Sequence, residues 1–530
     1  MPDFNLALID MVIVVAYIVG VLILGFWIGK RHEGAEDYFL AGRNLTWPLI
    51  GFSLFASNIS SNTLIGLTGS GYADGAGFSV FSYEWMAVIV LIIFAVFFLP
   101  FYLRNRIFTI PEYLERRYDY NARAYASFIA IVLNVFVDIS ATLYAGGIVI
   151  QLIFPGVPLW AVITGLAVIA GIYTITGGLS AVVITDAIQA VILIFGSMII
   201  TWFAWEQSGG LTEVMAMTDP THFDIIKPAT DEELPWPGLI TGVFLLGFYF
   251  WGTNQYITQR ALASKSTAEG QWGAMFAGFL KLLILFIMIM PGAFARVLYP
   301  GIAEVDTVYP TMMFDLLPIG ILGLVLAGLI AAMMSSIDSG LNSVSTLITM
   351  DFYQKLHPDK NTEELMGIGR WITAIVMIIA VLWAPQIQHF EKLWDYLQYV
   401  LSWFSPPIIA LFVVGLFWKR ANKTGALWCI IVGAIITLFA ISFNATEQLT
   451  DFLYMTGIHF GICVIAHVIG SYTAEPPSAE VVENTVWQPS GFRKETEELK
   501  ELAWYKNYRY QGAGLIIMVI AIILYFNVWI

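Results

Sequence analysis

The sequence predicts an all-α protein that crosses a membrane many times. Of its 530 residues, 58% are hydrophobic and only 12% are charged, and the mean hydropathy is +0.76. Soluble domains have about 25% charged residues, so this surface is covered by lipid rather than by water. The net charge of −14 argues against nucleic-acid binding. The two cysteines provide neither a disulfide framework nor the spacing of metal ligands.

Apolar runs of membrane-spanning length succeed one another along the whole chain. Fourteen are predicted, at approximately 6–28, 48–72, 79–102, 124–153, 158–176, 182–205, 237–257, 272–296, 311–348, 367–386, 391–417, 424–443, 448–471 and 511–529. With the N-terminus outside, the lysines and arginines of the loops, Arg260 among them, fall almost entirely on the cytoplasmic side, and only Lys227, Arg296 and Lys392 lie outside. Positive charge is enriched in cytoplasmic loops, so both termini are predicted to be extracellular or periplasmic.

Two single charges stand inside apolar runs. Lys281 is the only charge in Trp272–Ala295, and Glu84 is the only charge in Ser79–Phe101. A charge near the bilayer centre costs several kcal/mol unless it faces the bundle interior or a wet cavity, usually with a partner. We therefore predict that Lys281 and Glu84 face each other at a substrate or ion path. The alternative is a structural ion pair that only joins two helices.

Two runs are interrupted by polar residues. Ser53–Gly75 concentrates serine, asparagine and threonine, and Gly247–Arg260 contains the segment GTNQYITQR. Non-helical backbone at membrane depth is tolerated only where it lines a cavity or is packed in protein. The two runs are five helices apart, which is typical of an inverted-repeat transporter with a broken first helix in each repeat. The alternative is that each stretch is a polar interface between helices.

A third polar cluster lies in Ala331–Thr346. Ser335, Ser336 and Ser339 occupy overlapping faces of the predicted helix, and Asp186 in the sixth run could add a carboxylate. Hydroxyls and freed carbonyls are hard oxygen ligands that suit Na⁺. Taken singly, each serine is more often bonded to the backbone of its own helix. No HExxH, P-loop or nucleophile-elbow pattern occurs, so the chain is predicted not to be an enzyme.

The chain resembles the sodium:solute symporters, in particular their sodium/sugar cotransporter branch. The resemblance rests on stretches in family order: EDYFLAGRNL (Glu36–Leu45), ASNIS (Ala56–Ser60), SYEWM (Ser82–Met86), YTITGGLSAVVITDAIQ (Tyr173–Gln189), LPWPG (Leu234–Gly238), NQYITQRALASKS (Asn254–Ser266), SSIDSGLNSVSTLITMDFY (Ser335–Tyr353) and LFWKRANKTGA (Leu416–Ala426). It implies a five-plus-five inverted-repeat fold. The parts would be an extra N-terminal helix and loop (1–47), a first repeat (48–205), an extracellular loop (206–236), a second repeat (237–420) and three C-terminal helices (421–530) with a cytoplasmic loop at 471–509.

The resemblance also implies one sodium site. Its ligands would be the carbonyls of Ala56, Ile59 and Ala332 and the hydroxyls of Ser335 and Ser336. Some relatives have a second sodium site, and the matching positions here are Asp186, Ser335, Asp338 and Ser339.

The resemblance further implies a sugar site. Glu84, Lys281 and Gln398 match residues that bind sugar hydroxyls in family members. Other positions depart from the pattern: Thr63 stands where relatives carry Gln or His, Gly247 where a galactose-transporting member has Asn, and Ala87 where relatives have a small hydroxyl residue. Phe250 takes the position of an inner-gate Tyr, before a retained Trp251. These changes remove hydrogen-bonding groups, so a hexose other than galactose or glucose, a pentose or an inositol stays open.

The predicted function is Na⁺-driven symport of a sugar or related neutral polyol across a plasma membrane, the inner membrane in a bacterium. One alternative is a sodium-coupled symporter of an organic anion such as a carboxylate or sialic acid, with Lys281 as the counter-charge. Glu84 beside it would repel an anion. A sodium-permeable channel or sensor is the alternative from another class, and concentrative, sodium-dependent flux separates it from a symporter.

Overall fold

The computed structural model describes residues 6–30, 34–154, 156–389, 393–442 and 452–529, and the regular structure of these residues is helical. Eleven helices are long and apolar enough to cross a membrane: Leu8–Gly29, Gly77–Arg104, Tyr120–Gln151, Leu159–Gln207, Thr267–Leu298, Ile321–Leu356, Thr362–Gln388, Val400–Phe417, Lys423–Ala440, Phe452–Tyr472 and Tyr508–Trp529. Shorter helices are Ala35–Leu40, Trp47–Asn58, Ser61–Tyr72, Glu112–Arg117, Leu211–Met217, Gln255–Leu262, Val308–Leu316, Ala479–Thr485 and Pro489–Lys500. The chain is thus an all-helical polytopic membrane protein.

The polar stretch in the second apolar run interrupts its helix, as the sequence predicts. Helix Trp47–Asn58 ends, Ile59 and Ser60 adopt extended backbone, and helix Ser61–Tyr72 begins. The Ser60 hydroxyl accepts a hydrogen bond from the backbone N–H of Thr63 at 3.3 Å, which caps the new helix. We call these two helices the first broken helix, with Trp47–Asn58 as its inner half.

The seventh run is also interrupted. Its chain is helical from 236 to 253, with wide π-turns at Leu239–Val243 and Tyr249–Thr253, and leaves the helix at Asn254. The Asn254 side chain accepts from the N–H of Tyr256 at 3.0 Å and caps helix Gln255–Leu262. We call this pair the second broken helix.

Helix Leu159–Gln207 contains two of the predicted runs. Its 49 residues would extend about 74 Å at 1.5 Å per residue, more than twice the hydrocarbon thickness, so it cannot be one crossing. Gly178 interrupts it with φ 49° and ψ −155°. A Cβ there would lie 2.4 Å from the carbonyl oxygen of Tyr38, so both the backbone angle and the close approach require glycine.

One predicted run is wrong at its start. The sequence predicts a single helix over 311–348, whereas the structure has two, Val308–Leu316 and Ile321–Leu347. Pro318 and Gly320 separate them, and Gly320 has φ 88°, which a helix does not accommodate. The predicted runs 391–417, 424–443 and 448–471 each have an end outside the described residues, as does Lys392.

The helix Ile321–Leu347, here the serine helix, lies at the centre of the molecule and is buried along most of its length. It packs against Leu159–Gln207, the N-terminal helix and the inner half of the first broken helix. Helix Thr267–Ile284, here the Lys281 helix, packs between that inner half and helix Ser82–Ile93, here the Glu84 helix. The two polar sites described below lie at these contacts.

Two arginines, Arg123 and Arg43, connect segments that are distant in the sequence. Arg123 pairs with Asp351 and with Glu115, each at 2.5 Å. The Arg43 guanidinium donates to the backbone carbonyls of Leu262 at 3.1 Å and Ile107 at 3.0 Å. The C-terminal end of the second broken helix is therefore tied, through Arg43, to the segment that contains Ile107.

Candidate functional site

Lys281 and Glu84 form a buried ion pair, as expected from the sequence. The Lys281 ammonium donates to Oε2 of Glu84 at 2.5 Å, and the side chains are 1% and 7% exposed. The Lys281 helix supplies the ammonium group and the Glu84 helix supplies the carboxylate. At such low exposure neither charge is hydrated by bulk water, so each depends on the other for stabilisation.

Two further groups hold Lys281. Its ammonium donates to the side-chain oxygen of Asn58, the last residue of the inner half of the first broken helix. It also lies 5.2 Å from the centroid of the Trp251 ring, a cation–π distance. Three helices therefore converge on one ammonium group. Asn58 was not predicted to take part, although it belongs to the polar stretch that the sequence marks.

The other residues predicted to bind substrate differ in burial and in the hydrogen bonds that they make. Gln398 is buried and makes no hydrogen bond with the described residues. The Thr63 hydroxyl donates to the backbone carbonyl of Asn58 at 3.2 Å and contacts the Ser60 hydroxyl at 3.3 Å, so its own turn already uses it. Ala87 is buried on the Glu84 helix, one turn from Glu84. A Cβ at Gly247 would meet only Val90, at 3.7 Å.

The two predicted gate residues pack together. The rings of Phe250 and Trp251 lie 5.4 Å apart edge to face, and Phe250 lies 6.0 Å from Tyr256. Trp251 is buried, whereas Phe250 is half-buried. Phe250 therefore contacts both Trp251 and helix Gln255–Leu262, and it has no hydroxyl with which to form a hydrogen bond there.

A second polar site lies where the serine helix meets the break in the first broken helix. The Ser336 hydroxyl donates to the carbonyls of Ala332, at 3.3 Å, and Ser57, at 3.4 Å. The Tyr256 hydroxyl donates to the same Ser57 carbonyl at 2.8 Å. The structure thus brings the serine helix and both broken helices to one point.

The predicted sodium ligands belong to this point. Ala56 and Ile59 flank the break, where Ile59 leaves helical geometry and its N–H bonds the Ala56 carbonyl at 3.2 Å. Ala332, Ser335 and Ser336 lie on the facing turn of the serine helix. Carbonyls freed by a helix break, together with hydroxyls, are the oxygen donors that coordinate Na⁺ in transporters of this kind. The Ser335 hydroxyl donates to Asp186 at 2.5 Å, which links this site to the next cluster.

The fully buried Asp186 lies in a dense polar cluster. Besides Ser335 it accepts from Ser53 at 2.5 Å and from Ser57 at 3.2 Å. The Arg260 guanidinium lies 3.6 Å from Asp186 and donates to Ser53 at 2.8 Å. Arg260 was predicted as an ordinary cytoplasmic cation, whereas the structure buries it to 1% exposure.

Two of the residues predicted for a second sodium ion adjoin this cluster. Ser339 accepts from the Arg260 guanidinium and lies 3.0 Å from the Ser57 hydroxyl. Asp338 accepts from Ser339 at 3.2 Å and from the Tyr173 hydroxyl. Asp338 and Asp186 are both fully buried. Arg260 pairs with Asp186 and reaches Asp338 only through the Ser339 hydroxyl, so the cluster holds two carboxylates and one guanidinium, with a formal charge of −1 when both carboxylates are ionised.

Helices broken at membrane depth, with two buried polar centres at the breaks, define a polytopic helical transporter. The chain belongs to the sodium:solute symporter family, which residues 38–433 match. The resemblance drawn from the sequence motifs is thereby confirmed. The family and the relatives below are transporters.

The sequence of this chain is similar to those of known cotransporters over most of their length. The chain is 38% identical to a sodium/glucose cotransporter from Vibrio parahaemolyticus, over 82% of this chain and 86% of that protein. It is 33% identical to sodium/myo-inositol cotransporter 2 from Bos taurus, over 90% and 78%. It is 35% identical to sodium/glucose cotransporter 1 from Oryctolagus cuniculus, over 84% and 73%.

Solved structures share the fold. A Na⁺-coupled sialic acid symporter in an outward-open state matches with a TM-score of 0.80 and 24% identity, over 90% of this chain and all of that one. A nucleobase-cation-symport-1 transporter in a closed conformation matches with a TM-score of 0.57 and 12% identity, over 86% of this chain and 99% of that one. At these identities the likeness concerns the fold alone.

Proposed function

We propose that this protein is a Na⁺-driven symporter of a sugar or a related neutral polyol. The observation that carries the proposal is the buried centre of Lys281, Glu84 and Asn58 beside the break in the first broken helix. Such a centre offers donors and acceptors to hydroxyls while the ion pair stays neutral overall. The glucose and myo-inositol cotransporters among the relatives support a polyol substrate.

We propose more membrane crossings than the eleven long apolar helices. Counting each broken helix as one crossing and Leu159–Gln207 as two gives the predicted fourteen, with both termini outside and the chain in the plasma membrane. The first repeat would comprise 48–205 and the second 237–420. The corresponding breaks at Ile59–Ser60 and at Asn254 support the inverted repeat, because each opens one repeat.

We assign different roles to the two polar sites. Substrate would bind at Lys281, Glu84 and Gln398, with Thr63, Gly247 and Ala87 at its edge and Phe250 and Trp251 beneath it. Sodium would bind to the carbonyls of Ala56, Ile59 and Ala332 and the hydroxyls of Ser335 and Ser336. We further propose a second cation at Asp186, Asp338 and Ser339, supported by two fully buried carboxylates in a cluster that contains a single guanidinium, that of Arg260.

Coupling would follow from the first broken helix. The segment that carries the Ala56 and Ile59 carbonyls also carries Asn58, which holds Lys281. A sodium ion that orders the carbonyls at the break would also fix Asn58, and therefore Lys281, for substrate. Each ligand would then favour the conformation that the other needs, which is reciprocal coupling.

An organic anion is the second candidate substrate, and the single observation favouring it is the ammonium of Lys281. Glu84 at 2.5 Å neutralises that ammonium and opposes a second carboxylate. A sodium channel or sensor would not need a closed polar centre between broken helices.

Uptake into proteoliposomes tests the proposal. An imposed inward Na⁺ gradient should drive accumulation of labelled sugars, pentoses or inositols above the equilibrium level, whereas a K⁺ gradient should not. Accumulation of organic anions alone would favour the second candidate. Sodium flux with no accumulated substrate would favour a channel.

Ser336→Ala should raise the Na⁺ concentration that gives half-maximal uptake at least tenfold. The change removes one of the oxygen ligands and leaves a methyl group that cannot coordinate. The Na⁺ dependence of uptake measures the effect. Ser345→Ala is the matched control, because Ser345 lies on the same helix but donates to Gly369 at 2.7 Å. An unchanged Na⁺ dependence in Ser336→Ala would remove Ser336 from the site.

Gln398→Ala should weaken substrate affinity roughly ten- to a hundredfold, since each substrate hydroxyl left unpaired in a dry pocket costs about 1–3 kcal/mol. Substrate binding at saturating Na⁺ is the measurement. Gln189→Ala, at a buried glutamine bonded to Tyr17 at 2.9 Å, serves as the control for loss of a buried amide. Equal losses in both variants would show that the effect of Gln398 is structural.

A further inference from the structure

A carboxylate outside the two polar sites lies at membrane depth without a counter-charge. Asp138 is near the middle of the 32-residue span Tyr120–Gln151, in its π-helical segment Leu133–Ile139, here the π-segment. Its Oδ2 atom is buried, and among the described residues that atom has no hydrogen-bond partner and no cation faces it. An ionisable side chain inside a membrane bundle indicates a functional site, since burying the charge is costly.

The side of the helix that carries Asp138 faces the interior of the bundle. Asn134, four residues before it, donates from its side-chain nitrogen to the Ser343 hydroxyl of the serine helix at 3.4 Å. Ile139, the next residue, packs on Gly340 of the same helix, where a Cβ would lie 2.4 Å from the Ile139 side chain. Asp138 as a whole is only half-buried. The residue therefore borders space within the protein, although its Oδ2 atom is covered.

The titratable groups close to Asp138 are neutral phenols. Tyr249 and Tyr256 of the second broken helix are near enough to interact with its carboxylate electrostatically. The Tyr256 hydroxyl donates to the Ser57 carbonyl at 2.8 Å. The Tyr249 hydroxyl is buried and has no partner among the described residues. The second broken helix therefore brings hydroxyl groups towards Asp138 but no positive charge.

The other helices packed against the π-segment bring no charge either. The serine helix meets it at Gly340 and Ser343. Helix Thr362–Trp383 meets it through the Trp383 ring, 5.0 Å from the ring of Phe136. Residues 400–417, the part of helix Leu393–Phe417 with described side chains throughout, contain no titratable residue. Within the described part of the chain, an ionised Asp138 would thus stand uncompensated.

We propose that Asp138 is a proton-binding site and that the protein passes between its outward-open and inward-open conformations only while this carboxyl group holds a proton. The inference goes beyond the proposed symport and rests on its transport cycle. An ionised carboxylate without a counter-charge is strongly disfavoured in a closed bundle that excludes water, whereas the protonated group is neutral. When one side opens, water hydrates the group, the O–H bond breaks and the proton passes to water.

The proton is a bound ligand in this cycle and not a transported one. The loaded protein and the empty protein pass through the same closed arrangement, so the carboxyl group must be neutral in both directions. A proton taken up for one crossing is therefore also needed for the return. Net movement of H⁺ with the substrate is not expected, but the rate of the cycle should depend on pH.

The pH dependence of Na⁺-driven uptake into proteoliposomes tests the proposal. The pH is kept equal on both sides, Na⁺ is saturating, and the substrate is the labelled sugar or inositol that accumulates best. A hydrated aspartate ionises near about pH 4, so above that pH the protonated fraction of the open protein falls with rising pH. Where the conformational change limits the rate, initial uptake should fall by up to about tenfold per pH unit.

Two variants assign the effect to this residue. Asp138→Asn carries a neutral amide at every pH, so its uptake rate should stay within about twofold between about pH 5.5 and 8.5. Asp10→Asn is the matched control. Asp10 is also buried in a membrane helix, but its Oδ1 atom accepts from the backbone N–H of Gly320 at 2.8 Å, so this variant should keep the wild-type pH profile.

Infrared difference spectra report the proton without any substrate. At about pH 7 and saturating Na⁺, the wild type should show the C=O band of a protonated carboxyl group that Asp138→Asn lacks. Identical spectra in that region would overturn the inference, as would a steep pH profile retained in Asp138→Asn. A wild-type uptake rate that does not change with pH would overturn it without any variant.

Two further outcomes separate this inference from the proposed function. With equal Na⁺ on both sides, a pH gradient alone should not drive accumulation. Accumulation would show that the proton is transported and would overturn its role as a bound ligand. Absence of Na⁺-driven uptake for every sugar and inositol would overturn the proposed function, while the infrared spectra would still decide whether Asp138 holds a proton.

Discussion

Lys281→Met should weaken substrate binding by more than a hundredfold. The substitution leaves Glu84, at 7% exposure, without its counter-charge, and removing one partner of a buried ion pair costs about 3–5 kcal/mol. It also leaves Asn58 without its hydrogen-bond donor. Equilibrium binding of substrate at saturating Na⁺ is the measurement, with Na⁺ binding followed separately and expected to change little.

The double variant Glu84→Gln, Lys281→Met distinguishes a shared substrate site from two unrelated effects. Once both charges are removed, no uncompensated charge is left, so the loss in affinity should be smaller than the sum of the single losses. Strict additivity in substrate binding would show that the two side chains act independently. A loss of stability with unchanged substrate affinity would mean that the pair only joins two helices.

The sequence could predict this pair because each charge is isolated in an apolar run. A charge at membrane depth needs a partner of opposite charge, and the apolar runs contain few such partners. The broken helices were predictable for a related reason, since amides and hydroxyls concentrated at membrane depth indicate non-helical backbone. The roles of individual residues could not be predicted in the same way. Gln398 is buried, for example, but its contribution depends on a substrate that the sequence does not specify.

Other features were missed because the local pattern resembled something simpler. Arg260 follows a polar stretch near a predicted helix end, so it was counted as a cytoplasmic cation, and only tertiary packing brings it to Asp186. Asn58 was one of several polar residues in a row, with no periodicity to single it out. The separate helix Val308–Leu316 was hidden because the apolar content stays high through the interruption at Pro318 and Gly320.

Arg260→Met should destabilise the folded protein by about 3–5 kcal/mol, because it leaves the fully buried Asp186 carboxylate, with Asp338 in the same cluster, without its cation. The thermal unfolding midpoint in detergent, at fixed Na⁺, is the measurement. Lys360→Met is the control: Lys360 pairs at 2.8 Å with Glu364 on the surface, where water and salt screen the pair, so its midpoint should stay at the wild-type value.

The response of Arg260→Met to Na⁺ and to a second substitution then distinguishes two roles of the cluster. If the surplus negative charge is a cation site, raising Na⁺ should stabilise the variant more than the wild type, because a ligand that binds the folded state shifts unfolding by mass action. Asp186→Asn added to Arg260→Met should recover most of the lost stability and remove that Na⁺ dependence. In an otherwise wild-type background, Asp186→Asn should lower the charge moved per substrate. Recovery of stability with an unchanged charge-to-substrate ratio would make Asp186 and Arg260 a structural pair, since loss of a transported ion would have lowered the charge carried per substrate.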